Sequence, residues 1–68
     1  MRNGAAAVTF ALPARIPEGT RNDLLTRRAG SLRHFGTPET EILRLLTIDN
    51  ERRCRPPLDI REVRGIAR

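Results

Sequence analysis

Hydrophobic residues recur at helical spacing in three stretches of the chain, separated by proline and glycine. In the central stretch, Ile42, Leu43, Leu45, Leu46 and Ile48 cover more than half of a helical circumference at about 100° per residue. Thr40, Arg44, Thr47 and Glu51 share the polar strip that is left. So wide an apolar face predicts a helix with neighbours on two sides. Thr37 is a predicted cap, Pro38 a predicted first helical residue, and Glu39 and Glu41 suit the positive end of the helix dipole. The pattern runs out in Asn50-Glu51-Arg52-Arg53-Cys54-Arg55 and is stopped by Pro56-Pro57, because proline excludes helical geometry from its predecessor and donates no amide hydrogen.

Beyond that rigid corner, Asp59 is placed to cap a helix, with Glu62 three residues on for a capping box and Leu58 and Val63 for a hydrophobic staple. Ile60, Val63, Ile66 and Ala67 share one face, and Arg61, Arg64 and Arg68 share the other as an arginine stripe. Upstream, Pro17-Glu18-Gly19-Thr20 is turn chemistry and Thr20 is a predicted cap with Asp23 in the first turn. Leu24, Leu25, Leu32 and Phe35 then fall within about 100° of arc with Ala29 at its edge, and Gly36 is placed to end that helix in the left-handed region. Arg28 lies inside this arc, so its head must snorkel out or pair with an acid such as Asp49. Gly30 in mid-helix suggests close approach of a neighbouring helix. The expected fold is all-α: a small bundle of three main helices, at about 20–35, 38–53 and 59–68, with an extended N-terminal segment.

Residues 1–15 read as a linker, a disordered segment or the tail of a preceding domain, ahead of a helical domain at 16–68. The run from Ala7 to Leu12 has the composition of a strand, but it has no second strand to pair with and an isolated strand is not stable. Arg2 followed by a short apolar run resembles a signal peptide only superficially, because no small-residue cleavage pattern follows. No apolar run approaches the roughly 18 residues of a membrane span, so no membrane partner is expected.

Sixty-eight residues allow one small domain. A chain this short buries only about 60% of the surface its unfolded form exposes, so its stability is expected to be marginal. The net charge is +5 and all thirteen cations are arginine, each a planar fork suited to phosphate and none of them titratable near neutrality. Phe10 and Phe35 are the only aromatic residues, so no base-stacking platform is visible. With one cysteine and one histidine the chain lacks the ligands for a disulfide or a structural metal; no cofactor is expected, and the compartment implied is a reducing cytoplasm. Cys54, among Arg52, Arg53 and Arg55, would be reactive if exposed and a small packing residue if buried. His34 has no nucleophile and orienting acid placed with it, and no enzyme active site is supported. The candidate nucleic-acid surface is Arg52, Arg53, Arg55, Arg61, Arg64 and Arg68, six guanidinium groups flanking one corner; the alternative is a solvated basic face answered by Asp49, Glu51, Asp59 and Glu62. Asn22 and Asn50, poor helix formers, are either exposed or committed to specific side-chain bonds.

With Ile16-Pro17-Glu18-Gly19-Thr20-Arg21-Asn22, Ala29-Gly30-Ser31-Leu32, Glu41-Ile42, Asn50-Glu51-Arg52-Arg53-Cys54-Arg55-Pro56-Pro57-Leu58, Glu62-Val63-Arg64 and Ile66-Ala67-Arg68, the chain resembles the primase C-terminal domain 1 family. This is a small helical domain that follows the catalytic domain in primase-polymerases of phages, plasmids and prophages. The most specific matches are Gly-x-Arg-Asn, with Arg21 and Asn22, and Asn-x-x-x-Cys-x-Pro-Pro-Leu, with Asn50, Cys54, Pro56 and Pro57. The resemblance implies a non-catalytic accessory module in DNA replication, joined to a primase catalytic or helicase-like domain and meeting single-stranded or primer-template DNA. Thr26 and Arg28 depart from the apolar residues such domains tend to carry, which implies a less well packed first helix. No catalytic domain precedes residue 16, so a cut domain, a free-standing protein and a remnant of a larger frame all stay open. Two other classes compete: a helix-turn-helix regulator reading duplex DNA with residues 59–68, and a purely structural interaction module. The long Pro56-Pro57 corner and the short last helix weigh against the regulator.

Overall fold

The computed structural model describes residues 10–68, so the first nine residues, including Ala7 to Thr9 of the strand-like run, lie outside the described part. Three helices follow from the three apolar repeats: α1 (Arg21–His34), α2 (Glu39–Arg53) and α3 (Ile60–Ala67). Two short strands that the helical reading did not include, β1 (Ile16–Pro17) and β2 (Cys54–Arg55), pair in parallel with Ile16 opposite Cys54 and Pro17 opposite Arg55. A two-residue strand carries no periodicity of its own, which is why the pattern of the sequence could not reveal it. The pairing ties the chain entering α1 to the chain leaving α2.

The helix ends correct several expected caps. α1 closes with a Schellman arrangement, in which Gly36, at φ +82°, donates to the Arg33 carbonyl and Thr37 to the Leu32 carbonyl. Thr37 does not cap α2, because Pro38 takes the half-helical position, extended at φ −70° and ψ 156°, and α2 begins one residue later than expected. Thr20 stands at the start of α1, yet its hydroxyl donates back to the Pro17 carbonyl at 3.1 Å and accepts nothing from the helix. Asp59 does cap α3, its Oδ1 accepting from the Arg61 amide at 2.8 Å. Glu62 does not return to complete the box, because its carboxylate accepts from Asn22 on α1 instead. Leu58 and Val63 are both buried in the core, as the staple requires.

All three helices pack on one another. Ile16, Leu25, Ala29, Ile42, Leu46, Cys54, Leu58, Val63 and Ala67 form the buried core, with Leu12, Leu24, Leu32, Leu43 and Ile66 packed against it. Leu45 and Ile48 lie at the margin of the α2 apolar face and are half-buried. Two apolar residues expected in the core are not there. Phe35 is 56% exposed because it follows the last turn of α1, where the chain reverses, and its ring meets the edge of His34 at 5.0 Å. Ile60 is 42% exposed at the first position of α3, where side chains lean toward the helix start and overhang the packed region. Gly30 is a further correction: it is exposed and a Cβ there would meet nothing within 4 Å, so no neighbouring helix requires it.

Leu46, fully buried, should be the sensitive position of α2, with Leu46→Ala costing about 2–5 kcal/mol in chemical denaturation. The Asp59 cap can be tested by thermal melting, where Asp59→Ala should lower the midpoint more than Glu51→Ala on the exposed face of α2. Hydrogen bonds from the side chain and then the amide of Arg61 hold the Asp59 carboxyl below its ordinary value. That contribution is therefore present above the unfolded carboxyl value of about 4 and is lost as pH falls through the depressed one. The difference between the two melting curves should shrink on acidification.

Candidate nucleic-acid interface

Arg21 and Asn50, two of the residues most specific to the sequence motif, converge on the Pro56-Pro57-Leu58 corner and hold it. At the start of α1, Arg21 sends Nη1 to the Pro56 carbonyl at 2.6 Å and, more weakly, to that of Pro57 at 3.4 Å. The Arg55–Pro56 peptide is cis. Asn50, only 5% exposed, brackets Leu58: its Nδ2 donates to the Leu58 carbonyl at 3.0 Å and its Oδ1 accepts from the Leu58 amide at 2.7 Å. Only an amide side chain supplies both a donor and an acceptor at that distance from the backbone, since a carboxylate would present two acceptors. Asn22 donates to Glu62 Oε2 at 3.0 Å and accepts from the Thr26 hydroxyl at 3.2 Å, which links α1 to the first turn of α3.

Cys54 is fully buried opposite Ile16, so the arginine-flanked thiol packs rather than reacts. Burial pushes its pKa up, partly offset by the positive charge of Arg21 and reinforced by Asp49. His34 is exposed against Phe35. Among the described residues, no three of the His, Cys, Asp and Glu side chains are grouped to hold a metal ion. None of the described helices is long and apolar enough to cross a membrane.

The six candidate arginines divide by what they touch. Arg53 turns inward, its Nε 3.6 Å from Asp49 and its Nη1 donating to the carbonyls of Leu12 and Pro13 at 3.3 and 3.0 Å. Arg55 folds back over the end of α2 and donates to the carbonyls of Glu51, Arg52 and Cys54, groups a helix terminus leaves without partners. Arg61 lies along Asp59 at 3.2 Å. Arg52, Arg64 and Arg68 are exposed, and their side chains have no hydrogen bond or ion pair among the described residues. Arg28, as one of its two sequence readings required, pairs with Asp49 at 3.0 Å, so that the nearly buried Asp49 carboxylate sits between two guanidinium groups.

One feature sequence reasoning missed is an open cleft of about 590 Å³ between α1 and α3. Arg33 and Arg68 line it together with the Asn22–Thr26–Glu62 chain, Gly65 and Ile66. Arg33 spends Nη2 on the Ile66 carbonyl at 2.7 Å and is otherwise exposed. No spacing rule relates Arg33 to residues more than thirty positions away, which is why the sequence did not single it out.

Compared with known families, the chain is matched over residues 10–68 by the model of the family described as Primase C terminal 1. No curated protein and no solved structure gives a match.

Two measurements test the corner. Asn50→Ala would leave the buried amide and carbonyl of Leu58 without partners and should cost roughly 2–5 kcal/mol, against little for Glu51→Ala next to it. The Cys54 thiol should react with a disulfide reagent only as fast as the domain opens. Because its pKa is raised in the folded state, the unfolded chain loses the thiol proton first, so stability should decline as pH rises past the unfolded value of about 8.5. Cys54→Ala should flatten that decline.

Proposed function

The chain belongs to the Primase C terminal 1 family, and from that premise we propose that it is a non-catalytic helical accessory domain of a DNA primase, supporting DNA replication through contacts with DNA or with a neighbouring primase domain. The observation that carries this reading is that the family match spans every described residue. The bonding of the motif supports it. Arg21, Asn22, Asn50 and Cys54 are consumed in bonds and packing that fix the angle between helices, which suits a rigid support better than a reaction centre.

For DNA, the useful groups are the arginines whose heads are uncommitted, Arg52, Arg64 and Arg68, since a guanidinium already answered by a carboxylate or by helix carbonyls gains less from a phosphate. For a neighbouring domain, exposed Phe35 at the turn between α1 and α2 favours a protein contact, because a large aromatic residue is an effective interface anchor. A helix-turn-helix regulator is supported less: α3 is two turns long, its first turn carries Glu62 beside the Asp59 cap, and acids at the start of a recognition helix would face the phosphates on either side of the groove.

The test is binding of the chain to single-stranded, duplex and primer-template DNA across a salt series. Exchanging Arg52 and Arg64 for glutamine should weaken binding alike for unrelated sequences and reduce the slope of log affinity against log salt by roughly 0.7–0.9 per lost contact. Binding that is absent at low salt, or unchanged in this double variant, would move the reading to the protein-contact arm. Phe35→Ala should then impair association with the primase catalytic region.

A further inference from the structure

The α1–α3 cleft has two chemically different ends. At one, Glu62 is oriented by the Asn22 amide, itself fixed by the Thr26 hydroxyl, and only one of its carboxylate oxygens is used. At the other stand Arg68, six residues or about 9 Å of rise beyond Glu62, and Arg33 of α1, whose Nη2 is oriented by the Ile66 carbonyl at 2.7 Å while its other nitrogens make no bond among the described residues. Between them, Gly65 leaves the helix surface bare, with nothing within 4 Å of where a Cβ would sit. A ligand that satisfies this arrangement is anionic at one end and offers hydrogen-bond donors at the other, with a flat body able to approach the backbone at Gly65.

We propose that this cleft seats one unstacked nucleotide of single-stranded DNA, its phosphate on Arg33 and Arg68 and the Watson–Crick edge of its base donating to Glu62. The proposal rests on the reading that the domain meets DNA, and it names the form of DNA and the site. A duplex is excluded from the cleft because pairing already occupies the base edge that Glu62 would accept from. An acidic peptide would suit the arginines but would be repelled by Glu62. With no aromatic side chain lining the cleft, the base lies against Ile66 and the bare backbone at Gly65.

Fluorescence anisotropy with short oligo(dC), oligo(dT) and duplex DNA tests this on the full chain. Cytosine offers its N4 amine to a carboxylate, whereas the single donor of thymine is flanked by carbonyls, so oligo(dC) should bind roughly fivefold or more tightly than oligo(dT). Glu62→Gln, which keeps an oxygen for Asn22, should erase that preference. Gly65→Leu should fill the cleft and weaken single-strand binding about tenfold while duplex binding stays as in the parent. Leucine favours helix and the site is open, so this variant should melt no lower than the parent, which separates occlusion from unfolding. Arg33→Gln should likewise weaken single-strand binding and leave duplex binding as in the parent. Salt-dependent DNA binding that persists unchanged in Gly65→Leu and shows no base preference would overturn the cleft proposal and leave the DNA reading standing. No binding to any DNA at low salt would overturn both. Should Gly65→Leu melt early, the loss of base preference in Glu62→Gln decides.

Discussion

The pairing of Asn50 with both backbone groups of Leu58 is the contact on which the rest of this small domain depends. Beyond β2, two successive prolines give the chain no amide to donate, so the corner itself cannot be held by a backbone ladder. One amide side chain, buried at the end of α2, replaces that ladder with a donor and an acceptor together. Leu58 is thereby fixed in the core, Asp59 follows and caps α3, and Val63 joins Leu58 in the same buried cluster. In a domain of this size, where buried area is limited, a polar pair that sets an inter-helix angle contributes as much to a single folded state as any one apolar side chain.

Around that pair the arginines act chiefly as intramolecular donors. Arg21 satisfies the proline carbonyls, Arg55 the end of α2, Arg33 the Ile66 carbonyl, and Arg53 reaches the carbonyls of Leu12 and Pro13. Each bond is charge-assisted and directed at a carbonyl that helix ends or prolines leave unpaired. Asp49 draws Arg28 and Arg53 to one nearly buried carboxylate, joining α1, α2 and the entering chain. Removing one partner of such a group leaves an uncompensated charge, so its value lies in fixing geometry more than in net stability. A net charge of +5 therefore overstates the cationic surface open to a partner, because much of the guanidinium valence is already spent inside the fold.

This division explains how the motif and the surface relate. The most specific motif residues, Arg21, Asn50 and Cys54, build the platform, and the groups free to meet a partner include residues outside those matches: exposed Phe35 and, on the α1 side of the cleft, Arg33. Thr26 illustrates the point. As a departure from an apolar pattern it implied a weaker core, yet it is exposed and its hydroxyl orients Asn22 toward Glu62 at the cleft.

The sequence by itself determined the three helices, their order, the left-handed end at Gly36, the Asp59 cap with its Leu58–Val63 staple, and the family. These follow from periodicity and from residues within four or five positions of one another, where local geometry leaves few choices. It also offered Asp49 as a partner for Arg28, since an arginine inside an apolar arc must find an acid or reach solvent. What only the tertiary structure decided is which donor meets which acceptor across long separations: 21 residues from Arg28 to Asp49, 35 from Arg21 to Pro56, 40 from Asn22 to Glu62 and 41 from Arg53 to Leu12. Thirteen identical guanidinium groups are interchangeable in a one-dimensional pattern. Packing alone makes them different, because it brings some against unpaired carbonyls and a buried carboxylate and leaves others at the surface.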